Sequence, residues 1–398
     1  MEDDNLKLYL EINNSNLIFF VCKKNHDNNF LISHKLEVQT KGLENNRISD
    51  FDKVYRIIKE NIYLIEKKFD ITFKEIVLIL DNFNPSFVNL SGYKKLNGSQ
   101  ITKENITYIL NMLKSYVDNI ETKKKILHIF NSNFYLDNKK IDNLPIGLFG
   151  DFYSHELSFV LVNKNDYKNL INVFDKCNLK IQKILLKSFV KGAAIDYDYQ
   201  NSGTFFQIDV SCNNSKVFYF ENSSLKFEQD FNFGTDIIIN DILKITSLCK
   251  STVKKILNET DLHEELEDDT LIEENFFEDD AYRKIKKKLI YEIILARAQE
   301  IIDLMIFKNI NFKHYSETPK DLYYEFSDKS SVQNIKEIYK NVFLKNGLKN
   351  VESLNGKYSD EVLKAANKVV HFGWKKEAIP ITQTKKSIIA RFFEAIFG

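Results

Sequence analysis

The first eighty residues carry a pattern of apolar and polar positions that predicts three strands, a helix and a fourth strand. The strands are the apolar-rich segments LKLYLEI, NLIFFVCKK, FLISHKLEV and, after the helix, KEIVLILD. In the helical segment, apolar residues recur at the spacing of one helix face, and they are Val54, Ile57, Ile58, Leu64 and Ile65. Ser49 and Asp50 stand directly before them as candidate N-terminal caps. The chain therefore opens on a β-β-β-α-β order.

A similar order returns about two hundred residues later. Strands TFFQIDV, KVFYFE and SLKFEQDF follow one another, and a helix begins near Asp236. The first strand of each copy ends close to an acidic residue, which is Glu11 in the first copy and Asp209 in the second. This duplication is typical of the ribonuclease-H-like halves of actin and the sugar kinases. We predict an α/β, actin-like fold built from two β-β-β-α-β-α halves.

Two segments interrupt this repeat. Residues 84–163 contain the helical pattern TKENITYILNMLKSYV and strand-like segments around KKILHIFNSNFYLD and HELSFVLVN. Residues 250–308 contain an acidic stretch, the basic run RKIKKK and the helical pattern LIYEIILARAQEIIDLM.

The last twelve residues, SIIARFFEAIFG, predict an amphipathic helix. At 100° per residue the apolar side chains fill one half of the helix, and they are Ile388, Ile389, Phe392, Phe393, Ile396 and Phe397. Lys385 and Lys386 precede it, as expected of a helix that lies on an anionic membrane surface. The alternative is a terminal helix that docks on its own domain.

Composition narrows the function classes. The 398 residues contain 56 Lys and Arg and 56 Asp and Glu, so no basic excess favours nucleic acid as a partner. The four cysteines form no CxxC pair, which excludes a zinc knuckle, and we predict no metal site of another kind. Scattered cysteines also fit a protein of the reducing cytoplasm. The start is acidic where a signal peptide would be basic, and no apolar window approaches the length of a spanning helix. We expect a soluble body.

The segment HIFNSNFYLDNKKIDNLPIGLFGDF resembles the central signature of the bacterial cell-division protein family FtsA. The matching positions are His128, Asp137, Pro145, Ile146, Gly147, Leu148 and Gly150, whereas Leu144 replaces an Asp or Asn of the family. Further segments follow in the family's order, namely NLINVFDKCNLKIQKILLKSFVKGAAI, FGTDIIINDIL and ILARAQEIIDLM. The resemblance covers nearly the whole chain at low identity.

This resemblance implies a domain map. Residues 1–83 and 164–200 would form subdomain 1A, and 84–163 would be the inserted subdomain 1C. Residues 201–249 would form the first part of subdomain 2A, and residues 250–308 would form subdomain 2B. Residues 309–374 would complete subdomain 2A and return to subdomain 1A. A linker at 375–386 would lead to the membrane-targeting helix at 387–398.

The resemblance also implies a function. FtsA polymerises on the cytoplasmic face of the inner membrane at the division septum, where it tethers the FtsZ ring. The expected partners are therefore FtsZ, further copies of this chain and the membrane, which the terminal helix would bind.

The nucleotide site departs from the family. The first phosphate turn reads EINNSN and the second DVSCNNS, so both glycine clusters are lost, which argues against tight binding of ATP with Mg²⁺. Asparagine is the next best residue for positive φ, so the turns themselves could persist. The degenerate site would comprise Glu11, Asn13, Asn14, Asp209, Asn213, Asn214 and Gly234. Alternatively, Glu11 and Asp209 only cap two turns.

Arg297 and Glu300 match the R-x-x-E of the family's subdomain 2B, where the FtsZ peptide docks, and a cation there could pair with a peptide carboxylate. The alternative is an ordinary i,i+3 surface ion pair. His128 is expected to be a satisfied core or turn histidine. Because no catalytic constellation occurs, we expect no enzyme. The competing functions are a PilM-like pilus-assembly protein, which shares the fold, and an active ASKHA-type ATPase.

Overall fold

A computed structural model describes residues 6–13, 16–24, 30–44, 47–81, 83–199, 203–314, 321–327, 333–354 and 358–378. The chain divides into two compact units: unit 1 comprises Met1–Ile184 and Gly373–Gly398, and unit 2 comprises Leu185–Phe372. The division falls inside the range 164–200 that the sequence assigns to one subdomain.

Unit 1 contains a five-stranded sheet in the order β11-β6-β1-β2-β3. Its strands are β1 (Leu6–Ile12), β2 (Asn16–Lys24), β3 (Phe30–Gln39), β6 (Glu75–Leu80) and β11 (Lys180–Leu186), and a small hairpin forms from β4 (Leu43–Glu44) and β5 (Arg47–Ile48). The central strand β1 pairs antiparallel with β2 and parallel with β6, and most of its residues are buried. A strand covered on both faces carries the continuous apolar run seen in the sequence.

Helix α1 (Phe51–Phe69) shows how the sequence pattern produces this unit. Its buried face consists of Val54, Ile58, Ile62 and Ile65, spaced by one helical turn. The Asp50 side chain accepts a hydrogen bond from the Lys53 amide at 3.0 Å and caps the N-terminus. The predicted helix and its Asp50 cap are confirmed, but the predicted buried face is wrong at Leu64, which is 56% exposed, and it omitted Ile62, which is buried.

Residues 84–163 contain a second sheet of unit 1, in the order β7-β10-β8-β9. Its elements are β7 (Ser86–Lys95), α2 (Lys103–Ile120), β8 (Lys124–Leu136), β9 (Lys139–Ile141) and β10 (Phe152–Asn163), followed by α3 (Lys164–Lys176). Helix α2 packs very close to β7. A Cβ added at Gly92 of β7 would lie only 2.5 Å from Cγ2 of Ile109 on α2. We call this the inserted sheet.

Unit 2 contains a five-stranded sheet in the order β14-β13-β12-β15-β16. Its elements are α4 (Lys187–Tyr199), β12 (Phe205–Val210), β13 (Ser215–Glu221), β14 (Ser224–Phe231), α5 (Thr235–Thr246), α6 (Lys250–Glu259), α7 (Lys287–Ile302), β15 (Asp321–Phe326), α8 (Gln333–Lys345), β16 (Asn350–Ser353) and α9 (Tyr358–Phe372). One face of the sheet forms a core with α5 to α8.

The two five-stranded sheets share one topology. In unit 1, β1 pairs antiparallel with β2 and parallel with β6, which follows α1. In unit 2, β12 pairs antiparallel with β13 and parallel with β15, which follows α5 to α7. The detail repeats as well: the Asp81 amide donates to Ile12 O at 2.9 Å in unit 1, and the Ser327 amide donates to Val210 O at 2.9 Å in unit 2. This duplicated α/β topology is the one that the sequence repeat predicts.

Candidate functional site

The first strand of unit 1 ends in a turn that Asn13 holds. The Asn13 amide donates to Asn16 O at 3.1 Å, and the Asn16 amide donates to the Asn13 side chain at 2.6 Å. Glu11 is buried on β1, opposite Ile79 of β6. Asn14 lies outside the described residues. The side chain of Asn13 thus stabilises the hairpin from within.

The corresponding turn of unit 2 joins β12 to β13, and the Ser211 amide closes it by donating to Asn214 O at 2.8 Å. We expected asparagines to supply left-handed backbone here. This expectation is wrong for the described turn residues, since Asn13, Asn213 and Asn214 are not among those with positive φ. The turn of unit 2 forms without a left-handed residue at Asn213 or Asn214, so it needs no glycine there for its own backbone conformation.

Asp209 lies beside a lysine that the sequence analysis did not connect to it. Lys191 of α4 donates to Asp209 Oδ2 at 2.7 Å and to Glu325 Oε2 at 2.9 Å. The two acids are register partners on the parallel strands β12 and β15. Gln207, fully buried two residues before Asp209, donates to Asp209 Oδ1 at 3.2 Å.

The charge of Lys191 is well stabilised in this position. Only 11% of its side chain is exposed, and burial opposes its charge. The attraction of Asp209 and Glu325 outweighs the burial, so the pKa of the Lys191 ammonium lies above its ordinary value. The ammonium group remains charged at neutral pH and crosslinks the ends of β12 and β15.

Gly234 stands where the hairpin turn meets the N-terminus of α5. The carbonyl of Ser211 accepts from the Thr235 amide at 3.0 Å, and the carbonyl of Cys212 accepts from the Asp236 amide at 2.9 Å. A Cβ at Gly234 would lie only 2.0 Å from Ser211 O. Close backbone approach, not an unusual φ, is therefore the reason for glycine at this position.

These contacts engage polar groups at this end of unit 2 that are of the kinds that bind phosphate or metal ions. Free amides at a helix N-terminus favour phosphate, but two amides of the first turn of α5 already donate to the hairpin carbonyls. Carboxylates favour a divalent cation, but Asp209 and Glu325 already hold an ammonium group. The described residues contain no group of three or more His, Cys, Asp or Glu placed to hold a metal ion.

Arg297 and Glu300 lie on α7 and line a groove of ≈ 430 Å³ between α7 and α5. Arg297 Nε donates to Asp241 Oδ2 of α5 at 2.6 Å, and Arg297 Nη1 pairs with Glu300 on its own helix. The i,i+3 ion pair considered in the sequence analysis is therefore present. The groove lies at the same residues to which the resemblance assigns a peptide site.

His128 belongs to a buried cluster in unit 1. Its side chain is only 1% exposed, and Nδ1 lies 3.3 Å from Glu377 Oε1. Lys183 donates to Glu377 Oε2 at 2.6 Å. Burial lowers the pKa of His128, whereas the hydrogen bonds and charges of His128 and Lys183 outweigh burial and lower the pKa of Glu377 to about 2. His128 is a satisfied core histidine, as predicted.

Glu377 reaches this cluster because its segment lies along β8. The Asn131 amide donates to Lys376 O at 2.7 Å, and the Ala378 amide donates to Ile129 O at 2.7 Å. The predicted linker 375–386 therefore begins with residues that are fixed to the inserted sheet.

Other signature residues also have structural roles. Asp137 accepts hydrogen bonds from the amides of Asp151 at 2.9 Å and Phe152 at 2.8 Å. Gly147, with φ of 90°, follows Pro145 in a tight turn, and the Leu148 amide donates to Pro145 O at 3.2 Å. The resemblance in this segment thus rests on residues that build one end of the inserted sheet.

The predicted amphipathic helix at 387–398 lies outside the described residues. Within the part of the chain that the structure describes, none of the helices has the length and apolar character needed to cross a bilayer.

Sequence reasoning did not identify Lys191, Asp241 and Glu377 as partners of the candidate residues. For Lys191 a signal was present, because it is the one charge inside the otherwise small and apolar stretch SFVKGAAI. A lone charge on an apolar helix face indicates a buried ion pair. Asp241 and Glu377 carry no comparable signal, since each meets its partner only through tertiary packing.

Comparison with known proteins gives sequence relatives of a single kind. No family model matches the chain. The cell division protein FtsA of Buchnera aphidicola subsp. Acyrthosiphon pisum is 22% identical over 255 residues, which cover 64% of this chain and 60% of the relative. FtsA of Buchnera aphidicola subsp. Schizaphis graminum is 22% identical over 218 residues, 55% of this chain and 52% of the relative. The chain thus matches about half to three fifths of these relatives' length.

Among solved structures, the PilM-PilN type IV pilus biogenesis complex matches with a TM-score of 0.50 at 9% identity, and the match covers 92% of this chain and 96% of that chain. At this identity the match concerns the fold alone. It agrees with the duplicated topology of the two units. The chain has an actin-like fold, and in sequence it is similar to the cell-division protein FtsA.

Proposed function

We propose that this chain is a cell-division scaffold: an actin-like, peripheral membrane protein that tethers FtsZ to the cytoplasmic face of the inner membrane at the septum. It associates with further copies of itself and catalyses no reaction. The observation that carries the proposal is the similarity to FtsA in sequence, in a chain whose two sheets repeat one actin-like topology.

The scaffold holds its fold without nucleotide turnover. The ion pairs of Lys191 with Asp209 and Glu325, and the hairpin carbonyls bonded to the N-terminus of α5, support this part of the proposal. Both supply, within the chain, contacts that a metal ion and a phosphate would otherwise make.

The competing ASKHA-type ATPase is tested with Mg·ATP. Isothermal titration of the full chain should detect no tight binding, and the rate of phosphate release should equal that of buffer. Tight binding that is lost in Asp209→Ala would overturn the nucleotide-independent scaffold.

The membrane contact is assigned to residues 387–398. Six aliphatic and aromatic side chains on one helix face would contribute about 1.5–3 kcal/mol each if fully buried. Shallow insertion and the ordering of a short helix reduce that total. A single copy therefore binds reversibly, and assemblies with many copies remain on the membrane through avidity.

Co-sedimentation with vesicles of phosphatidylethanolamine and phosphatidylglycerol tests this assignment. Wild type should pellet with the vesicles and should bring FtsZ polymers down with it. The double variant Phe392→Glu with Phe393→Glu should stay in the supernatant while folded. Its matched control, Ala390→Glu with Ala395→Glu, adds the same charge to the polar half of the helix and should lose much less binding. If both variants pellet equally, the helix is not the anchor.

FtsZ docking is assigned to the groove at Arg297 and Glu300, where a peptide could lie between α5 and α7. Arg297→Glu should weaken binding of the FtsZ C-terminal peptide by about 1–3 kcal/mol, the scale of a charge-assisted hydrogen bond. Fluorescence anisotropy measures this, and an unchanged affinity would leave Arg297 a surface ion pair.

A PilM-like role in pilus assembly is the second candidate, because the PilM-PilN complex matches over most of both chains. Binding assays against FtsZ and against PilN separate the two functions. We expect this chain to bind FtsZ and not to bind PilN. Binding of PilN without binding of FtsZ would support the second candidate.

A further inference from the structure

Helix α2, which packs on the inserted sheet, carries a row of apolar side chains that the described core leaves uncovered. Its buried residues are Ile109, Leu110, Leu113 and Val117. Beside them, four large side chains recur at every fourth position, each between 39% and 58% exposed, and they are Tyr108, Met112, Tyr116 and Ile120. We call these four residues the α2 ridge. Residues four apart form one ridge of a helix surface, and such a ridge packs into the groove between two ridges of a partner helix.

The predicted terminal helix at 387–398 has a surface that fits such a ridge. Its six apolar residues fall into two rows with the same spacing of four, which are Ile388, Phe392 and Ile396 in one row and Ile389, Phe393 and Phe397 in the other. The groove between the two rows runs along the middle of the apolar half of the helix. At 1.5 Å per residue, the α2 ridge and the terminal helix are both about 18 Å long. The two surfaces therefore match in apolar character, spacing and length.

The path of the chain leads toward this ridge. The Ala378 amide donates to Ile129 O at 2.7 Å in an antiparallel bridge to β8, so the chain continues toward Lys124, where β8 begins. The turn from α2 into β8 lies at that end, where the Lys124 amide donates to Glu121 O at 2.9 Å. Ile120, the last residue of the α2 ridge, directly precedes this turn. The chain therefore leaves the described residues in the direction of the ridge.

The linker is long enough for this approach. Five positions along β8 separate Ile129 from Lys124, a distance of about 17 Å. Residues 379–386 are eight residues, which span at most about 26–29 Å when extended. A segment on so short a tether meets the α2 ridge at an effective concentration on the order of millimolar. A weak contact between the two helices is then enough to keep them together.

We propose that the terminal helix at 387–398 docks on the α2 ridge of its own chain when no membrane is bound. The ridge enters the groove between the two apolar rows, and both apolar surfaces are removed from water. Because the same apolar half of the helix would enter the lipid, docking and membrane binding exclude each other. This competition rests on the proposed function, whereas the docking itself needs only this chain. The α2 ridge thus lowers the apparent affinity of a single copy for the bilayer.

Photo-crosslinking on the full chain tests the docking. Benzoylphenylalanine in place of Tyr116 should crosslink to residues 387–398 in the absence of lipid, and mass spectrometry identifies the joined peptides. The same probe in place of Tyr63, an exposed residue of α1, is the control and should give no such crosslink. Equal crosslinking from both positions would overturn the inference. So would crosslinks that form only between isotopically labelled and unlabelled copies, because the helix would then dock on a second copy.

A polar replacement of the ridge tests the competition with lipid. The variant Tyr116→Gln with Ile120→Gln removes apolar surface without changing the charge, so it should bind vesicles about three- to tenfold more tightly than wild type. The matched control, Tyr63→Gln with Leu64→Gln, makes the same kind of change at exposed residues of α1 and should bind as wild type does. Equal affinity of the ridge variant and wild type would contradict the competition.

A combined variant excludes a trivial cause of tighter binding. When Phe392→Glu and Phe393→Glu are added to the ridge variant, the gain should vanish, because the terminal helix no longer binds lipid. A gain that persists would come from a damaged core that exposes apolar surface, and the inference would fail.

The two assays separate this inference from the proposed function. If wild type pellets with vesicles but the probe at position 116 never crosslinks to the terminal helix, the membrane anchor stands and the docking is refuted. If the crosslink forms but neither wild type nor the ridge variant pellets with vesicles, the docking stands and the membrane function fails. If added vesicles abolish the crosslink in wild type, both stand.

Discussion

Replacing Lys191 by methionine tests the ion-pair cluster of unit 2 most directly. Methionine retains an unbranched side chain of similar length, so the substitution mainly removes the ammonium group that bonds to Asp209 at 2.7 Å and Glu325 at 2.9 Å. Two carboxylates on adjacent strands then face each other without their counter-ion, and their mutual repulsion adds to the loss of two hydrogen bonds.

The magnitude follows from burial. Removing one partner of a fully buried ion pair costs about 3–5 kcal/mol. The side chains of Asp209 and Glu325 are 16% and 24% exposed, so water partly compensates for the lost contact. We therefore expect Lys191→Met to lower the free energy of unfolding by about 2–4 kcal/mol at neutral pH. This loss is a large fraction of the free energy of unfolding of a typical protein, which is about 5–15 kcal/mol.

Urea unfolding followed by circular dichroism measures this difference. The matched control is Lys244→Met, an exposed lysine of α5 that makes no hydrogen bond or ion pair with another described residue, and it should change stability by less than about 0.5 kcal/mol. In the triple variant with Asp209→Asn and Glu325→Gln, neutral amides need no counter-ion, so much of the loss should be restored. If Lys191→Met is as stable as wild type, the cluster does not crosslink β12 and β15 energetically.

Two further stability predictions follow from the same geometry. Gly234→Ala should lower the free energy of unfolding by about 1–3 kcal/mol, because the new Cβ would stand 2.0 Å from Ser211 O; an unchanged melting temperature would mean that the hairpin moves aside freely. The Glu377 carboxyl has a folded-state pKa of about 2 against an ordinary value of 4.5. Its contribution should therefore be present above pH 4.5 and be lost as pH falls toward about 2. Glu377→Gln removes the carboxylate that Lys183 and His128 contact, so it should cost about 1–3 kcal/mol at pH 7. In a pH series of urea unfolding, the difference from wild type should shrink over that acid range, and a constant difference would contradict the assignment.

The sequence predicts the fold well where periodicity is strong. The central strand β1 and helix α1 bury most of the residues that the apolar pattern selects, because one face of each element must meet the core. Leu64 of α1 is the exception, since it lies on the exposed side of the helix. The repeat of strand order was also visible, since each copy has the same succession of apolar runs. In the inserted segment, the resemblance drew attention to Asp137 and Gly147, and both build local structure.

The candidate sites were less predictable, because their properties depend on partners distant in sequence. Glutamate and aspartate at strand ends suggested cation ligands, but Asp209 meets Lys191 only once α4 packs on the sheet. The arginine at position 297 suggested a free cation, but Asp241 of another helix engages it. Periodicity reports which face of an element is buried and does not report which charge lies opposite.

The attachment of Lys376 and Ala378 to β8 has a mechanical consequence. Any pulling force applied to the chain beyond Ala378 enters unit 1 through the two backbone hydrogen bonds to Ile129 and Asn131 and through the ion pair of Glu377 with Lys183. The inserted sheet, not the helix α9 that precedes this segment, is then the first part of the protein to bear the load. In a single-molecule experiment with force applied at the C-terminal end, the first rupture should release this segment, and Glu377→Gln should lower its rupture force.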